Sequence, residues 1–170
     1  MIRYSLVIPC FNELENIKII IDRLKNIDLD NDFELIIVNN GSTDETHKFI
    51  SCVIDSYNFL KYINIKKNIG YGHGIIEGLN SAKGKIIGWT HADLQTDIYD
   101  GLKGFDYFKN NEIKDNLFVK GLRKNRKFDE NILTIGMSII SSIFLRNFLW
   151  DINAQPSIFL VSYSIFQVMI

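Results

Sequence analysis

Residues 4–13 read YSLVIPCFNE and residues 33–45 read FELIIVNNGSTDE, and the two stretches are built alike. Each begins with a run of apolar residues long enough for a buried strand and ends in polar and turn-forming residues. A segment with helical periodicity follows each of them. This alternation of strand and helix predicts right-handed βαβ units and a parallel sheet covered on both faces.

Local rules predict where these first elements end. Pro9 is expected to stop a strand over Tyr4–Ile8, since proline lacks the N–H that a sheet uses. The helix that follows places four apolar residues on one face: Ile17, Ile20, Ile21 and Leu24. Ser42 and Glu45, three positions apart, predict a capping box that opens the helix after the second strand.

The rest of the chain continues this order less regularly. Four further strands are predicted, over residues 59–65, 85–89, 117–119 and 151–160. Two further helices are predicted, one through residues 75–79 that ends before Gly84 and one over residues 98–108. Pro156 favours an edge position for the last strand.

Composition narrows the class of protein. The 170 residues are 46% hydrophobic and 23% charged, which suits one globular domain over residues 1–170. The formal net charge of -1, from 19 basic and 20 acidic residues, lacks the basic excess of a nucleic-acid-binding protein. Cys10 and Cys52 have no metal-type spacing and indicate free thiols in a reducing compartment.

The apolar segments predict a cytoplasmic protein. No secretory signal follows Met1, and no apolar run reaches the length of about 18 residues that a membrane-spanning helix needs. Ile132–Leu145 comes nearest, with 14 uncharged residues. We interpret it as a core or interfacial helix.

Polar residues cluster at the ends of the predicted strands, where parallel α/β sheets bind their ligands. Such ends are found at residues 12–13, 39–42, 68–74 and 91–95. His91, Asp93 and Gln95 alternate, so on an extended segment their side chains would point the same way and could ligate Mn²⁺ or Mg²⁺. The alternative is that His91 only pairs with Asp93 at the end of a strand.

The glycines of residues 70–74 match neither of two common phosphate-binding motifs. Ile75 stands where the dinucleotide fingerprint needs its third glycine, and the chain contains no Gly-Lys-Ser/Thr sequence. These glycines still permit a close approach of the backbone to a ligand. The start of the helix that follows them is a site that suits phosphate.

Three blocks carry a resemblance to a known family: residues 7–13 (VIPCFNE), 38–44 (VNNGSTD) and 84–95 (GKIIGWTHADLQ). In order and spacing they resemble family 2 glycosyltransferases, in particular the polyprenyl-phosphate sugar transferase branch, whose members are similar to dolichol-phosphate-mannose synthase. The resemblance implies a GT-A fold, which is a Rossmann-like α/β architecture with a mostly parallel sheet and helices on both faces. It also implies a nucleotide-diphosphate sugar donor, a divalent metal and inversion at the anomeric carbon.

The resemblance further implies roles for individual residues. Those implied for binding the nucleotide-sugar are Pro9, Phe11, Glu13, Asn39, Asn68, Gly70 and Gly74. Those implied at the metal are Asp93, Gln95 and His91. Arg123 and Arg126 match a basic segment that, in members of the family, faces donor phosphates or a lipid-phosphate acceptor. No catalytic base is assigned, not even the late carboxylate Asp151, so Asp93 would act in catalysis through the metal.

Three features depart from the family pattern. Asn39 stands where the family usually has an aspartate that hydrogen-bonds the base, and an amide keeps an acceptor but loses the charge. His91 replaces the first aspartate of the metal motif, which leaves the metal site with one negative charge fewer. The chain stops at Ile170, short of the family's usual catalytic domain, and we interpret it as C-terminally truncated.

These observations predict an enzyme, a glycosyltransferase of cell-envelope assembly. It would transfer a sugar from a nucleotide-diphosphate donor, with inversion, to a polysaccharide, glycolipid or polyprenyl-phosphate acceptor. The basic residues between Lys120 and Lys127, with Ile132–Leu145 beside them, would suit peripheral contact with the inner face of the plasma membrane.

Two alternatives stay open. A catalytically inactive nucleotide-binding remnant would explain the two replaced aspartates. A nucleotidyltransferase would share the α/β core, but it needs a glycine-rich, basic loop after the first strand, where this chain has residues 9–13 (PCFNE).

Overall fold

The computed structural model describes residues 2–25, 27, 32–110, 118–121, 157–160 and 166–169. Its strands are β1 (Tyr4–Cys10), β2 (Phe33–Asn40), β3 (Leu60–Ile65), β4 (Ile86–Trp89), β5 (Phe118–Gly121), β6 (Ser157–Leu160) and β7 (Phe166–Met169). Its helices are α1 (Leu14–Lys25), α2 (Thr46–Val53), α3 (Tyr71–Ser81) and α4 (Ile98–Asn110), with a 3₁₀ turn at Ile54–Ser56.

The strands form one sheet in the order β3-β2-β1-β4-β6-β5-β7. β1 lies between β2 and β4 and is parallel to both. The other pairs are also parallel, except that β7 runs antiparallel to β5. The predicted mostly parallel sheet is therefore confirmed, and the carboxyl ends of β1 to β4 meet at one edge.

Successive residues along the strands are buried alternately in two apolar layers, one on each face of the sheet. Leu6 and Ile8 of β1 pack into the larger layer with α1, α2 and α4, whereas Val7 packs into the smaller layer with α3. The four residues of α1 that were predicted to share a face are all buried. Each such aliphatic side chain stabilises the fold by roughly 1.5–3 kcal/mol when it is buried. Because the sheet has an apolar layer on each side, helices pack on both of its faces.

The prediction that Pro9 ends the first strand was wrong. β1 continues to Cys10, and Pro9 pairs with Val38 of β2. The carbonyl of Val7 points towards β4 and accepts from the N–H of Thr90. The backbone nitrogen of Pro9, two residues further along, points to the same side. The last pair between β1 and β4 is Val7 with Trp89, so β4 has already ended where Pro9 lies. A missing N–H therefore removes no ladder bond there.

The predicted capping box at Ser42 and Glu45 was also wrong. α2 begins at Thr46, and its first N–H donates to Asp44 Oδ1 at 3.0 Å, without a side-chain cap from Glu45. Ser42 Oγ instead accepts from the backbone N–H of Asn12 at 2.9 Å. The serine is used to join two loops, so it does not cap the helix.

The predicted edge position of the strand ending at Leu160 was wrong as well. β6 lies inside the sheet, between β4 and β5. It begins at Ser157. Pro156 itself lies outside the described residues.

A buried carboxylate joins the amino ends of β1 and β2. Glu34, only 1% exposed, accepts from Ser5 Oγ at 2.5 Å and from the N–H of Lys83 at 2.6 Å, and it pairs with Lys61. Burial raises the pKa of this carboxyl, but the hydrogen bonds from Lys61, Ser5 and Lys83 outweigh it and hold the pKa below its ordinary value. Glu34 is therefore ionised in the folded protein at neutral pH.

The helices in the described part of the chain include none that is both long and apolar enough to cross a membrane.

Candidate functional site

A cleft of about 310 Å³ opens at the edge where the strands end. It is lined by residues at or just after the ends of β1, β2 and β4, in the loop after β3 and at the start of α3, namely Pro9, Cys10, Phe11, Glu13, Asn40, Asn68, Tyr71, His91, Ala92 and Asp93. The position follows from the topology, because β1 has β2 on one side and β4 on the other. Ligands of parallel α/β sheets bind at such an edge.

A group of amides holds the glycine loop against the end of β2. Asn40 Nδ2 donates to the carbonyl of Gly70 at 2.9 Å and to Asn68 Oδ1 at 3.3 Å, and Asn68 Oδ1 also accepts from the N–H of Gly70 at 2.8 Å. Gly70 has a φ of 115°, which favours glycine. Asn40 Oδ1 is buried and has no hydrogen-bond partner among the described residues.

A second pair of loops is joined through Asn12. Its side-chain Oδ1 accepts from the N–H of Thr43 at 2.8 Å, while its own N–H donates to Ser42 Oγ at 2.9 Å. Asn12 adopts a φ of 56° to do so, a conformation that asparagine tolerates better than most residues. The link fixes the turn after β1, which carries the exposed ring of Phe11 and the carboxylate of Glu13 into the cleft.

His91 and Tyr71 form a paired wall of the cleft. Their rings are almost parallel, 5° apart, with centroids separated by 5.2 Å. Tyr71 Oη lies 3.0 Å from His91 Nδ1, within hydrogen-bond distance. The first residue of α3 is thus connected directly to the segment after β4.

The expectation that His91, Asp93 and Gln95 share one face of an extended segment was wrong. Leu94 has a φ of 56°, and Asp93 Oδ1 accepts from the N–H of Gln95 at 3.0 Å. The carboxylate therefore closes a local turn, as aspartate often does. His91 and Asp93 still line the cleft, but Gln95 is not among its lining residues.

The thiol at the floor of the cleft is not a nucleophile at neutral pH. Burial, together with the nearby carboxylates of Glu13 and Asp44, raises the pKa of Cys10 to about 12. Both effects disfavour the thiolate, which is the reactive form of cysteine. Glu13 also lines the cleft, and its Oε2 accepts from Asn16 Nδ2 at 2.5 Å.

The structure brings half of the twelve predicted site residues together in the lining of the cleft. Those that line the cleft are Pro9, Phe11, Glu13, Asn68, His91 and Asp93. Gly70 and Gly74 support the wall, since a Cβ at Gly74 would lie 3.0 Å from Pro9 Cβ. Arg123, Arg126 and Asp151 lie outside the described residues.

Asn39 is placed differently from what the resemblance implies. It is buried, its Nδ2 donates to Asn64 Oδ1 at 2.8 Å, and its Oδ1 accepts from the N–H of Ser42 at 3.1 Å. It does not line the cleft, whereas the next residue, Asn40, does.

Sequence reasoning assigned no individual role in the cleft to Asn40, Tyr71 or Cys10, although the first two lie in the strand-end segments 39–42 and 68–74 that it singled out. Asn40 adjoins Asn39, and strand alternation could have assigned the two amides to opposite faces. Tyr71 lies between Gly70 and Gly72, and the glycine pattern of this loop does not indicate a role for the ring. No pattern in the sequence signals that Tyr71 and His91, twenty positions apart, come into contact.

A model of the protein family "Glycosyl transferase family 2" matches residues 5–156 of the chain. The chain belongs to this family. Among curated members it is 30% identical to dodecaprenyl-phosphate galacturonate synthase of Rhizobium johnstonii over 126 residues, which are 72% of this chain and 36% of that protein. It is 27% identical to dolichyl-phosphate beta-glucosyltransferase of Dictyostelium discoideum over 154 residues, which are 79% of this chain and 47% of that protein.

The fold agrees with this assignment. The mannosyltransferase PcManGT of Pyrobaculum calidifontis, solved with GDP-Man and Mn²⁺, matches with a TM-score of 0.60 and 21% identity over 75% of this chain and 37% of that chain. The chain thus has the GT-A fold of family 2 glycosyltransferases, as predicted. It spans less than half the length of the two curated relatives.

The residues at one side of the cleft fit a divalent cation in part. Asp93 supplies a carboxylate and His91 an imidazole, donors that Mn²⁺ accepts. The described residues contain no group of three or more His, Cys, Asp or Glu side chains that could hold a metal by themselves. A cation here would therefore need oxygen ligands from a bound diphosphate and from water.

Proposed function

We propose that this family 2 member is a glycosyltransferase that transfers a sugar from a nucleotide-diphosphate donor, with inversion, to a polyprenyl-phosphate, glycolipid or polysaccharide acceptor. The observation that carries the proposal is the cleft at the strand ends, where Phe11, Glu13, His91 and Asp93 line a space of about 310 Å³. A further part of the proposal is that residues 1–170 form one catalytic domain.

The two sides of the cleft suit the two ends of such a donor. Pro9 and the exposed ring of Phe11 offer an apolar surface to a base, and Glu13 offers acceptors to ribose hydroxyls. On the other side, Asn68 and the start of α3 present amide and backbone N–H groups, which suit phosphate oxygens. His91 and Asp93 follow, next to where the diphosphate would lie.

The chemistry that we propose is a single displacement. An acceptor oxygen forms a bond to the anomeric carbon while the bond from that carbon to the diphosphate oxygen breaks on the opposite face, so the configuration inverts. A hydroxyl acceptor gives its proton to a base, whereas a phosphate acceptor needs none. A divalent cation held by Asp93, with His91 beside it, would supply charge stabilisation to the leaving diphosphate.

Nucleotide binding tests the proposal directly. Calorimetry with UDP, GDP, CDP and dTDP, each with Mn²⁺ and in EDTA, should find one preferred nucleotide whose affinity rises with the cation. Binding of the nucleotide without any transfer to an acceptor would favour a catalytically inactive remnant. Release of inorganic diphosphate from a nucleoside triphosphate would instead indicate a nucleotidyltransferase, and the absence of binding to every nucleotide would contradict the proposal.

The acceptor side of the proposal includes contact with a membrane surface. It is supported by the sequence alone, through the basic residues around Arg123 and Arg126 and the attraction of such segments to anionic lipids. Flotation of the full chain with anionic liposomes at low salt tests it. A protein that stays wholly in the lower fraction would contradict peripheral association.

A further inference from the structure

The contact between Tyr71 and His91 is the feature of the cleft that the family resemblance does not assign. Tyr71 Oη lies 3.0 Å from His91 Nδ1, and the rings are stacked within 5° of parallel. Both residues line the cleft, beside Asp93. The contact therefore lies where a donor diphosphate would bind under the proposed function.

The position of Tyr71 is set by the cleft wall behind it. Tyr71 is the first residue of α3 and follows Gly70. The carbonyl of Gly70 accepts from Asn40 Nδ2 at 2.9 Å, and its N–H donates to Asn68 Oδ1 at 2.8 Å. The phenol is thus anchored through its backbone to the end of β2, and it can hold an imidazole that follows β4.

A histidine can ligate a cation only through a nitrogen that carries a lone pair. In the neutral ring one nitrogen carries the proton and the other carries the lone pair. A hydrogen-bond partner at one of the two nitrogens sets which of them is protonated. If Nδ1 donates its proton to the phenol oxygen of Tyr71, then Nε2 is the acceptor. Partners of this kind orient many metal-binding histidines.

We propose that Tyr71 is a positioning residue that holds His91 as the Nδ1–H tautomer, so that Nε2 is the nitrogen presented to a divalent cation shared with Asp93. The inference rests on the proposed function for the identity of that cation's other ligand, a nucleoside diphosphate. The tautomer itself can be measured without that ligand.

Nitrogen NMR of the histidine rings tests the tautomer without any ligand. The chain has three histidines, and His47 makes a similar contact, with its Nδ1 2.8 Å from Tyr62 Oη. At about pH 8, His91 should be the Nδ1–H tautomer in the parent protein. Tyr71→Phe should shift it towards Nε2–H and leave the His47 signals unchanged.

Binding of the cation tests the consequence. Mn²⁺ is titrated alone and with UDP, and the free ion is followed by electron paramagnetic resonance. Tyr71→Phe keeps the ring but removes the hydroxyl, and it should weaken Mn²⁺ binding about tenfold. The same change in a His91→Ala background should have no further effect. Tyr99→Phe, at an exposed tyrosine of α4, is the matched control.

Two results would overturn the inference. One is an Nε2–H tautomer of His91 in the parent protein, and the other is a tautomer that Tyr71→Phe leaves unchanged. If the parent binds neither Mn²⁺ nor any nucleotide, the proposed function fails, but the nitrogen spectrum still decides the role of Tyr71.

Discussion

Asp93 is the residue on which donor binding should depend most. It lines the cleft as the carboxylate next to His91, and a hard dication bound to a diphosphate needs a charged oxygen ligand. Asp93→Asn keeps the shape and removes the charge. We expect at least about a tenfold loss of Mn²⁺-dependent nucleotide affinity, roughly 1.4 kcal/mol, and little change in EDTA.

Calorimetry on matched variants checks this prediction. Asp106→Asn, at an exposed position of α4, controls for the loss of one negative charge from the molecule. His91→Ala should cost less than Asp93→Asn, because a neutral imidazole brings no charge. A folded Asp93→Asn protein that binds as the parent does would show that Asp93 is not a metal ligand.

Glu34 should matter for stability but not for binding. Glu34→Gln removes the charge that Lys61, Ser5 and Lys83 satisfy, so we expect a loss of about 1–3 kcal/mol in the free energy of unfolding at neutral pH. Glu15→Gln, in an exposed pair with Lys18, should cost less than about 0.5 kcal/mol. Urea unfolding of the three proteins measures both.

The same variant has a defined pH dependence. The pKa of Glu34 is lowered in the folded protein from its ordinary value of 4.5, so the unfolded chain takes up the proton first as the pH falls. The stability contributed by Glu34 is therefore complete above the unfolded value and is lost as the pH falls through the folded one. The difference in unfolding free energy between the parent and Glu34→Gln should stay constant above about pH 5.5 and shrink below pH 4.5.

At the scale of single residues, the sequence was informative where the side chain faces the cleft. Pro9, Phe11, Glu13 and Asp93 were predicted as site residues and do line the cleft. It misled where a polar side chain bonds to the protein itself, as Asn39 does with Asn64 and Ser42. A one-dimensional pattern does not show which of two adjacent amides is used inside the fold.

Among the elements, α3 lies closest to the sheet, and its glycines make this possible. A Cβ at Gly78 would lie 3.0 Å from Val38 Cγ2 and closer still to Val7. Gly78→Ala should destabilise the protein by about 1–3 kcal/mol, although alanine by itself favours a helix by roughly 1 kcal/mol. Thermal and urea unfolding measure the balance.

Gly72→Ala is the control within the same helix. A Cβ at Gly72 would meet nothing within 4 Å, so this change should leave the protein as stable as the parent or more so. Equal effects of the two substitutions would contradict the close packing of α3 on β1 and β2.

The order of the elements could be predicted better than their ends. Long apolar runs and the single apolar face of α1 depend on burial, which the sequence expresses directly. The ends of β1 and α2 depend on partners from elsewhere in the chain. Pro9 continues a strand because β4 has already ended beside it, and Ser42 fails to cap α2 because it bonds to Asn12.

For the whole molecule, we expect residues 1–170 to unfold as one unit. β1 is shared by the two apolar layers, so neither layer can open without exposing the other. Far-ultraviolet circular dichroism and tryptophan fluorescence, to which the buried Trp89 contributes, should give coincident transitions in urea. Saturation with the preferred nucleotide, at about 100 times its Kd, should raise the unfolding free energy by about 2.7 kcal/mol.

Two separate transitions would contradict the single domain. A single transition that no nucleotide shifts would leave the domain intact and contradict the proposed function instead. The architecture was predictable at this scale because three blocks of the sequence have the order and spacing found in family 2 glycosyltransferases. The contact of Tyr71 with His91 was not, since it depends on how α3 and the segment after β4 meet in space.

The different surroundings of the two cysteines have a practical consequence for labelling. Cys52 is exposed on α2, whereas Cys10 is buried at the cleft and its pKa is raised to about 12. A maleimide added at neutral pH should therefore attach once, at Cys52, and intact-mass spectrometry should show a single adduct. A fluorophore or spin probe can thus be placed on the native chain, without any engineered cysteine, to report on nucleotide binding from outside the cleft.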